Sequence, residues 1–252
     1  MALLEVREVT KKFGELIAND RVSFTVDAGT IVGLIGPNGA GKTTLFNCIS
    51  GLYPTSSGQI FFGNAEITGL PSYRIARMGA VRTFQVVRPL KDMTVFDNVL
   101  VGAYLQGAGG MQARERAEDC IRMCNLTEYA GKLAGDLPIG GKKRLELARA
   151  LATGPKLLML DEVMAGLTTT EVKAALEVIR HIRDQGITLL IVEHIMEAIM
   201  PIADKVVVLD GGIKIAEGPP GQIIDDERVI SAYLGAKFSR RLQERKEERT
   251  HD

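Results

Sequence analysis

The stretch Gly36-Pro37-Asn38-Gly39-Ala40-Gly41-Lys42-Thr43-Thr44 decides the fold expected of this chain. It matches the pattern of a glycine, four residues and then Gly-Lys-Thr, which is typical of a loop that wraps around phosphate groups. An apolar run, residues 31–35, comes directly before it, as expected of a buried strand that ends at a phosphate site. We therefore predict a strand, a phosphate-binding loop and a helix, and we call residues 36–44 the phosphate loop. The alternative is a glycine-rich turn without a ligand, which the flanking strand and helix disfavour.

Each kind of residue in the phosphate loop has a predicted role. Gly36, Gly39 and Gly41 allow positive φ, so that backbone N–H groups can turn toward an anion. The helix expected from Lys42 adds the positive end of its dipole. Lys42 is then expected to contact the β- and γ-phosphates of a nucleotide, and Thr43 to be a ligand of Mg²⁺.

The composition is that of a globular protein with balanced charge. Of its 252 residues, 46% are hydrophobic and 25% charged, which suits one large domain or two small ones. Lysine plus arginine and aspartate plus glutamate number 31 each, so no net field favours nucleic acid or an anionic membrane as a partner. The chain does not open on a basic segment followed by an apolar one, and no run reaches the length of a membrane span. We expect a cytosolic protein that does not bind nucleic acid.

Hydrophobic periodicity predicts alternating strands and helices. Thr94 followed by Asp97 is a plausible capping box at the start of one helix. Strands are predicted near residues 3–10, 22–26, 59–62, 81–84, 157–160 and 188–192, with a hairpin over 205–217. Helices are predicted near residues 42–50, 72–77, 95–106 and 112–124, then from the segment at 137–144 through 152, and as short helices over 219–234.

The cysteines are predicted to be structural. Cys120 and Cys124 share a helical stripe with Ala113, Ala117 and Ile121. This spacing favours core packing over a metal site or a disulfide.

Polar side chains follow several predicted strands. Asp161 and Glu162 come directly after one apolar run, which we place beside the phosphate-loop strand; there Asp161 can hold Mg²⁺ through water and Glu162 can activate water. His194 follows another run and could donate a hydrogen bond to a γ-phosphate, although a single histidine there is more often structural. Gln85 ends a third strand and by itself indicates nothing.

Three cations, Lys142, Lys143 and Arg144, are predicted to lie in the first turn of a helix, where the helix dipole disfavours them unless an anion is nearby. A phosphate would resolve this conflict. The alternative is a solvated basic turn.

Taken in order, these motifs resemble those of ATP-binding cassette ATPases. The resemblance rests on the phosphate loop, Gln85, residues 137–141 before the helix that contains Arg144, the pair Asp161 and Glu162, the Ala-Gly-Leu at 165–167, and His194. Residues 82–85, 93–98 and 232–235 look like the ATP-binding subunit of branched-chain amino acid importers. The lipopolysaccharide-export ATPase has a similar ending but matches less well around Gln85.

The resemblance implies a fold and a division of the chain. The fold is an α/β P-loop NTPase (RecA-like) core with a mostly parallel sheet, an N-terminal antiparallel β layer and an inserted α-helical subdomain. Residues 1–87 and 153–236 would form the ATP-binding core, and residues 88–152 the helical subdomain. Residues 237–252 would be a charged tail, either a solvated helix or disordered.

The resemblance also assigns roles to particular residues. Phe13 would lie against adenine, although a lone Phe near a strand end is by its position more often part of the core. Glu162 would be the catalytic base, His194 the sensor of the γ-phosphate, and Gln85 a further catalytic residue. Thr43, Gln85 and Asp161 would surround Mg²⁺. The other ATP contacts would come from the phosphate loop and the signature segment (residues 137–141): Gly36, Pro37, Asn38, Gly39, Ala40, Gly41, Lys42, Thr43, Thr44, Gly140 and Gly141.

The implied partners are other subunits of a transporter. A second ATPase subunit, identical or different, would bind face to face so that two ATP molecules lie between the chains, with Gly140 and Gly141 closing over the opposite subunit's ATP. Residues 88–152 would grip cytoplasmic helices of a membrane permease, which in turn meets a solute-binding protein. The chain would sit peripherally on the cytoplasmic face of the inner membrane.

The sequence departs from the family where the two chains should meet. Pro138 replaces the signature serine, Gly141 a common glutamine, Val163 a proline and Thr168 an Asp or Asn. Proline fits the start of a helix but offers no hydroxyl. A hydrogen bond to a charged group contributes about 1.5 to 3 kcal/mol, so its loss should slow turnover about tenfold to hundredfold. In a heterodimer the two sites are then expected to be unequal.

Other classes explain fewer residues. ATPases of DNA repair bring coiled-coil arms, and those of translation usually two cassettes in one chain. A P-loop kinase or GTPase leaves the signature segment and His194 without a role. A nucleotide-dependent assembly protein without transport function stays open because of Pro138.

Overall fold

A computed structural model describes residues 1–83, 88–106, 109–193 and 196–234. Two predicted site residues, Gln85 and His194, and the charged tail at 237–252 lie outside this part of the chain. The structure therefore does not test their predicted roles.

The centre of the fold is a mostly parallel sheet of six strands in the order β10-β9-β3-β8-β7-β6. Its members are β3 Ile31–Ile35, β6 Ala80–Arg82, β7 Leu157–Asp161, β8 Thr188–Val192, β9 Lys205–Asp210 and β10 Ile213–Gly218. Only the hairpin partner β10 runs antiparallel. The predicted mostly parallel sheet is confirmed.

Both faces of this sheet are buried. Successive side chains of a strand point to opposite sides, and each set packs into its own core. In β3, Ile31 and Ile35 pack into a core shared with the helices around Leu145 and Ile179. Val32 and Leu34 pack into a second core. The short apolar runs of β3 and of β7, the latter up to Leu160, follow from this double burial.

The second core lies against an antiparallel sheet in the order β2-β1-β4-β5, which confirms the predicted N-terminal β layer. Its strands are β1 Ala2–Phe13, β2 Leu16–Asp27, β4 Ser57–Phe62 and β5 Ala65–Glu66. Phe13 is the last residue of β1 and pairs with Leu16, so only the residues between them turn. The short strand β5 was not predicted.

The helices are interspersed with the strands along the chain. They are α1 Lys42–Ile49, α2 Ser72–Met78, α3 Val95–Ala103, α4 Gly110–Met123, α5 Ile139–Ala152, α6 Thr169–Asp184, α7 Met196–Ile199, α8 Pro220–Ile224 and α9 Glu227–Leu234. The predicted cap of α3 is present, since the Thr94 hydroxyl accepts from the Asp97 N–H at 3.0 Å. Helices α3, α4 and α5 pack together and form the predicted helical insertion. No helix in this described part is long and apolar enough to cross a membrane.

Helix α6 was missed by the sequence analysis, although it begins with a complete capping box. The Thr168 hydroxyl accepts from the Glu171 N–H, and the Glu171 carboxylate accepts from the Thr168 N–H at 2.9 Å. Thr168, a departure from the family pattern, therefore caps a helix.

The cysteine prediction is confirmed. Cys48, Cys120 and Cys124 are free and buried, and the last two pack in the core with Ala117 and Ile121. Burial raises the pKa of the Cys120 thiol to about 11, so this thiol stays neutral at physiological pH.

Candidate functional site

The phosphate loop leaves β3 in the conformation that its glycines predict. The φ angles of Gly36, Gly39 and Gly41 are 150°, 83° and 92°. Gly41 is also the N-cap of α1, and a Cβ there would approach the Ala18 carbonyl oxygen to 2.4 Å. The loop is thus closed against β2, and α1 begins directly behind it.

Lys42 is held inside this loop. Its side chain is buried, and its Nζ donates to the carbonyl oxygens of Gly36 at 2.7 Å and Pro37 at 2.9 Å. Burial lowers the pKa of Lys42, while the carboxylates of Glu162 and Asp161 act in the opposite direction. An ammonium group bound to two neutral carbonyls can exchange them for the oxygens of an anion, because its hydrogen bonds to a charged acceptor are stronger.

Asp161 ends β7, but β7 is not beside β3 as the sequence analysis expected. Strand β8 pairs with both and lies between them, an order that the local sequence of β7 does not encode. The carboxyl ends of all three strands still meet at one edge of the sheet. The charges of Asp161 and Lys42 interact there.

The surroundings of Asp161 fit a magnesium ligand. Burial raises the pKa of its carboxyl group, and the Arg82 guanidinium, whose Nη2 lies 3.6 Å from Oδ2, opposes this shift. The other oxygen, Oδ1, is buried and has no hydrogen-bond partner within the described part of the chain. A buried carboxylate oxygen without a partner is costly unless a cation or its water satisfies it.

Arg82 is a site residue that the sequence analysis did not identify. It donates to Asn47 Oδ1 at 2.5 Å and Ser50 Oγ at 3.0 Å, and it stacks over the Phe46 ring. Arg82 therefore ties α1, which follows the phosphate loop, to Asp161. The sequence around Arg82, just before Gln85, contains no local pattern that indicates these contacts.

Glu162 follows Asp161 in an unusual backbone conformation. Its φ is 48°, a left-handed value that is uncommon for a residue other than glycine. Its N–H donates to the Val192 carbonyl at 3.0 Å, which turns the chain sharply at the end of β7. Such strained residues concentrate at functional sites.

One cleft of about 560 Å³ brings most of the predicted site residues together. Its walls include Lys42, Thr43 and Glu162, and its mouth includes Phe13. The predicted site residues that line it are Phe13, Asn38, Gly39, Ala40, Gly41, Lys42, Thr43, Thr44 and Glu162. Neither Gly140 nor Gly141 lines this cleft.

Phe13 is an exposed aromatic ring held from behind. It is 44% exposed, makes an edge contact with Tyr53 at 5.6 Å, and has the Lys11 ammonium 4.7 Å from its ring centre. Lys11 is anchored in turn by the Pro54 carbonyl at 2.8 Å. A fixed ring at the mouth of the cleft can stack on a planar base.

The signature segment lies at the start of α5. Pro138 is the N-cap and provides no side-chain hydrogen bond. Gly140 packs so closely on α6 that an added Cβ would meet Glu171 Oε1 at 2.6 Å.

Of the three cations after Gly141, Lys142 lies at the end of the first turn of α5, as predicted. Lys143 and Arg144 lie in the second turn, because the helix already begins at Ile139. Arg144 donates to the Asn125 carbonyl, and Lys143 donates to carbonyls of the loop after β7. The N–H groups of these two cations therefore have hydrogen-bond acceptors in their own chain.

Comparison with known proteins gives consistent results. A family model described as "ABC transporter" matches residues 19–165, and one described as "Branched-chain amino acid ATP-binding cassette transporter" matches residues 214–239. The high-affinity branched-chain amino acid transport ATP-binding protein BraF of Pseudomonas aeruginosa is 42% identical over 92% of this chain and 98% of its own length. LivG of Escherichia coli, described by the same words, is 41% identical over the same shares. The ADP conformation of an ATP-binding cassette of an ABC transporter superposes with a TM-score of 0.85 at 32% identity, covering 93% of this chain and 99% of that one.

Proposed function

The chain belongs to the ATP-binding cassette family of transporter ATPases, and from this premise we propose that it is the ATP-hydrolysing subunit of an importer for branched-chain or related amino acids. The observation that carries the proposal is the cleft in which Lys42, Thr43 and Glu162 face one space. The transport proteins BraF and LivG, which match nearly the whole chain, support the class of cargo.

In the proposed site the phosphate loop binds the triphosphate. Lys42 contacts the β- and γ-phosphates, and the amides of Gly39 and Gly41 donate to phosphate oxygens. Thr43, Asp161 and Gln85 would hold Mg²⁺, which neutralises charge on the phosphates when bound. Oδ1 of Asp161, which has no hydrogen-bond partner among the residues that the structure describes, supports this assignment.

Glu162 is the proposed base. Its carboxylate lies on the same cleft as Lys42, where it can orient a water molecule and accept its proton during attack on the γ-phosphate. His194, directly after the buried Glu193 at the end of β8, is proposed to donate a hydrogen bond to the γ-phosphate.

The other wall of the site is proposed to come from a second ATPase subunit. The position of Gly140 outside the cleft lined by Lys42 is consistent with a role over the partner's ATP. Closure around two ATP molecules would move the helices of residues 88–152 against a membrane permease, and a solute-binding protein would deliver the cargo. This places the chain peripherally on the cytoplasmic side of the membrane.

Uptake by reconstituted transporter tests the proposed function. The chain is purified with its permease, its partner ATPase and its solute-binding protein in proteoliposomes. Uptake of radiolabelled leucine, isoleucine or valine that requires ATP inside the vesicles is expected. ATP hydrolysis by a complex that moves none of a panel of amino acids would contradict the importer assignment.

Phe13→Ala is expected to weaken ATP binding about tenfold, because base stacking on an aromatic ring contributes about 1 to 3 kcal/mol. The kcat should stay within about twofold of the parent, since the phosphates bind elsewhere in the cleft. Phe13→Tyr keeps the ring and is the matched control. Titration with a fluorescent ATP analogue measures the Kd, and an unchanged Kd for Phe13→Ala would remove Phe13 from the base-binding site.

Pro138→Ser is expected to raise the ATPase rate of the assembled transporter about tenfold by restoring a hydroxyl that reaches the partner's γ-phosphate. Serine also caps a helix, so Pro138→Ala, which restores the N–H but adds no hydroxyl, is the control. The hydroxyl is the cause only if the serine variant exceeds the alanine variant. A serine variant no faster than the parent would show that the missing hydroxyl does not limit turnover.

A further inference from the structure

We propose that Lys143 is a positioning residue that connects the signature helix of this chain to the loop carrying this chain's own base. The inference rests on the proposed role of Glu162 and adds a residue that neither the family motifs nor the cleft identifies. It concerns α5 and the post-β7 loop, which we define as residues 162–167.

Lys143 donates to three carbonyl groups of the post-β7 loop. The distances from its Nζ are 3.3 Å to the oxygen of Glu162, 3.2 Å to that of Val163 and 2.5 Å to that of Ala165. An ammonium group has three N–H donors. All three donors of Lys143 thus have acceptors in a loop about 20 residues away in the chain.

The same loop is also held by the last residue of β8, Val192, and by Glu193, which follows it. The Glu193 side chain is fully buried, and its Oε1 accepts from the Met164 N–H at 3.1 Å. The Glu162 N–H donates to the Val192 carbonyl at 3.0 Å. The carbonyl groups of the post-β7 loop therefore face the cation of Lys143, and the Met164 N–H faces the anion of Glu193. These contacts fix the orientation of the peptide groups.

This arrangement accounts for the left-handed backbone of Glu162. A residue with φ of 48° persists only where surrounding contacts determine its conformation. The carbonyl of Glu162 is held by Lys143 and its N–H by β8. Release of the carbonyl would leave the carboxylate attached to a chain segment that can relax away from the γ-phosphate.

The connection gives the signature segment a route to the base of its own chain. Helix α5 begins at Ile139, directly after Pro138, and Lys143 lies in its second turn. When the signature segment closes over the partner's ATP, any shift of α5 is transmitted through Lys143 to the loop that carries Glu162. One ATP site thereby influences the base of the other.

Lys143→Met tests the proposal, because methionine keeps an unbranched apolar stem and removes all three donors. In the assembled transporter we expect kcat to fall about tenfold to hundredfold while the KM for ATP stays within about twofold, since a base displaced by about 1 Å loses this much rate. Amide hydrogen exchange should become faster in residues 162–167 and stay unchanged in α1. Lys143→Arg, which keeps the charge and several donors, should recover part of the rate.

Lys173→Met is the matched control, because Lys173 is exposed on α6 and outside the site; its kcat and exchange should equal those of the parent. Should Lys143→Met fold poorly, Lys143→Gln repeats the test with two donors and no charge. A parental kcat, or parental exchange in residues 162–167, would overturn the proposal. The exchange result does not depend on whether Glu162 is the base, so failure of the proposed function remains distinguishable.

Discussion

Glu162→Gln is expected to lower the kcat of ATP hydrolysis by about 100-fold to 10,000-fold, the range typical of a lost general base. Glutamine has nearly the same shape and can still accept a hydrogen bond from water, but it cannot take the proton. Affinity for ATP should remain, since the phosphate loop is intact. Phosphate release at saturating ATP by the assembled transporter measures the effect.

The same variant should accumulate ATP and stabilise the closed dimer, because the step that opens the dimer no longer occurs. The control is Glu177→Gln, which changes an exposed carboxylate on α6 whose only described ion pair is with Arg180. Steady-state hydrolysis that is undiminished in Glu162→Gln would exclude Glu162 as the base.

Lys42→Met is expected to lower kcat/KM for ATP by about 100-fold to 10,000-fold, since two hydrogen bonds to charged phosphates are lost at about 1.5 to 3 kcal/mol each. Methionine keeps the apolar stem that fills the loop. The Kd for ATP should rise by about the same factor as kcat/KM falls. Lys173→Met is again the control.

Protein stability separates this effect from misfolding. Burial lowers the pKa of Lys42. At a pH below that pKa the side chain is charged in both the folded and the unfolded chain, and burial of the charge then destabilises the folded chain. Removal of the charge is therefore expected to leave Tm unchanged or raise it. A lower Tm together with unaltered ATP binding would show that Lys42 has a structural role and does not hold phosphate.

The sequence predicted the parts of the fold that depend on local patterns. The phosphate loop, the doubly buried strands β3, β7 and β8, and the capped helix α3 each have a periodicity or motif within a few residues. Helix α6 had such a signal as well, in Thr168 and Glu171, and was overlooked. Its charged exposed face kept it from standing out as an apolar segment.

The long-range contacts of Arg82 and Lys143 could not be predicted in this way. Arg82 reaches Asp161, and Lys143 reaches the carbonyl of Val163, only because the order of strands and the packing of α5 bring distant segments together. The basic residues after Gly141 illustrate the point. Their local pattern left a nearby anion and a solvated basic turn as alternatives, and it did not indicate that Lys143 and Arg144 find carbonyl groups in their own chain.

The most direct test of the central claim is a crystal structure of the Glu162→Gln variant with ATP and Mg²⁺. We expect the triphosphate in the cleft lined by the phosphate loop, with Lys42 Nζ about 3 Å from β- and γ-phosphate oxygens. The metal should lie between Thr43 and Asp161, and the side chain at position 162 should face the γ-phosphate. A triphosphate bound outside this cleft, or a γ-phosphate remote from position 162, would contradict the account.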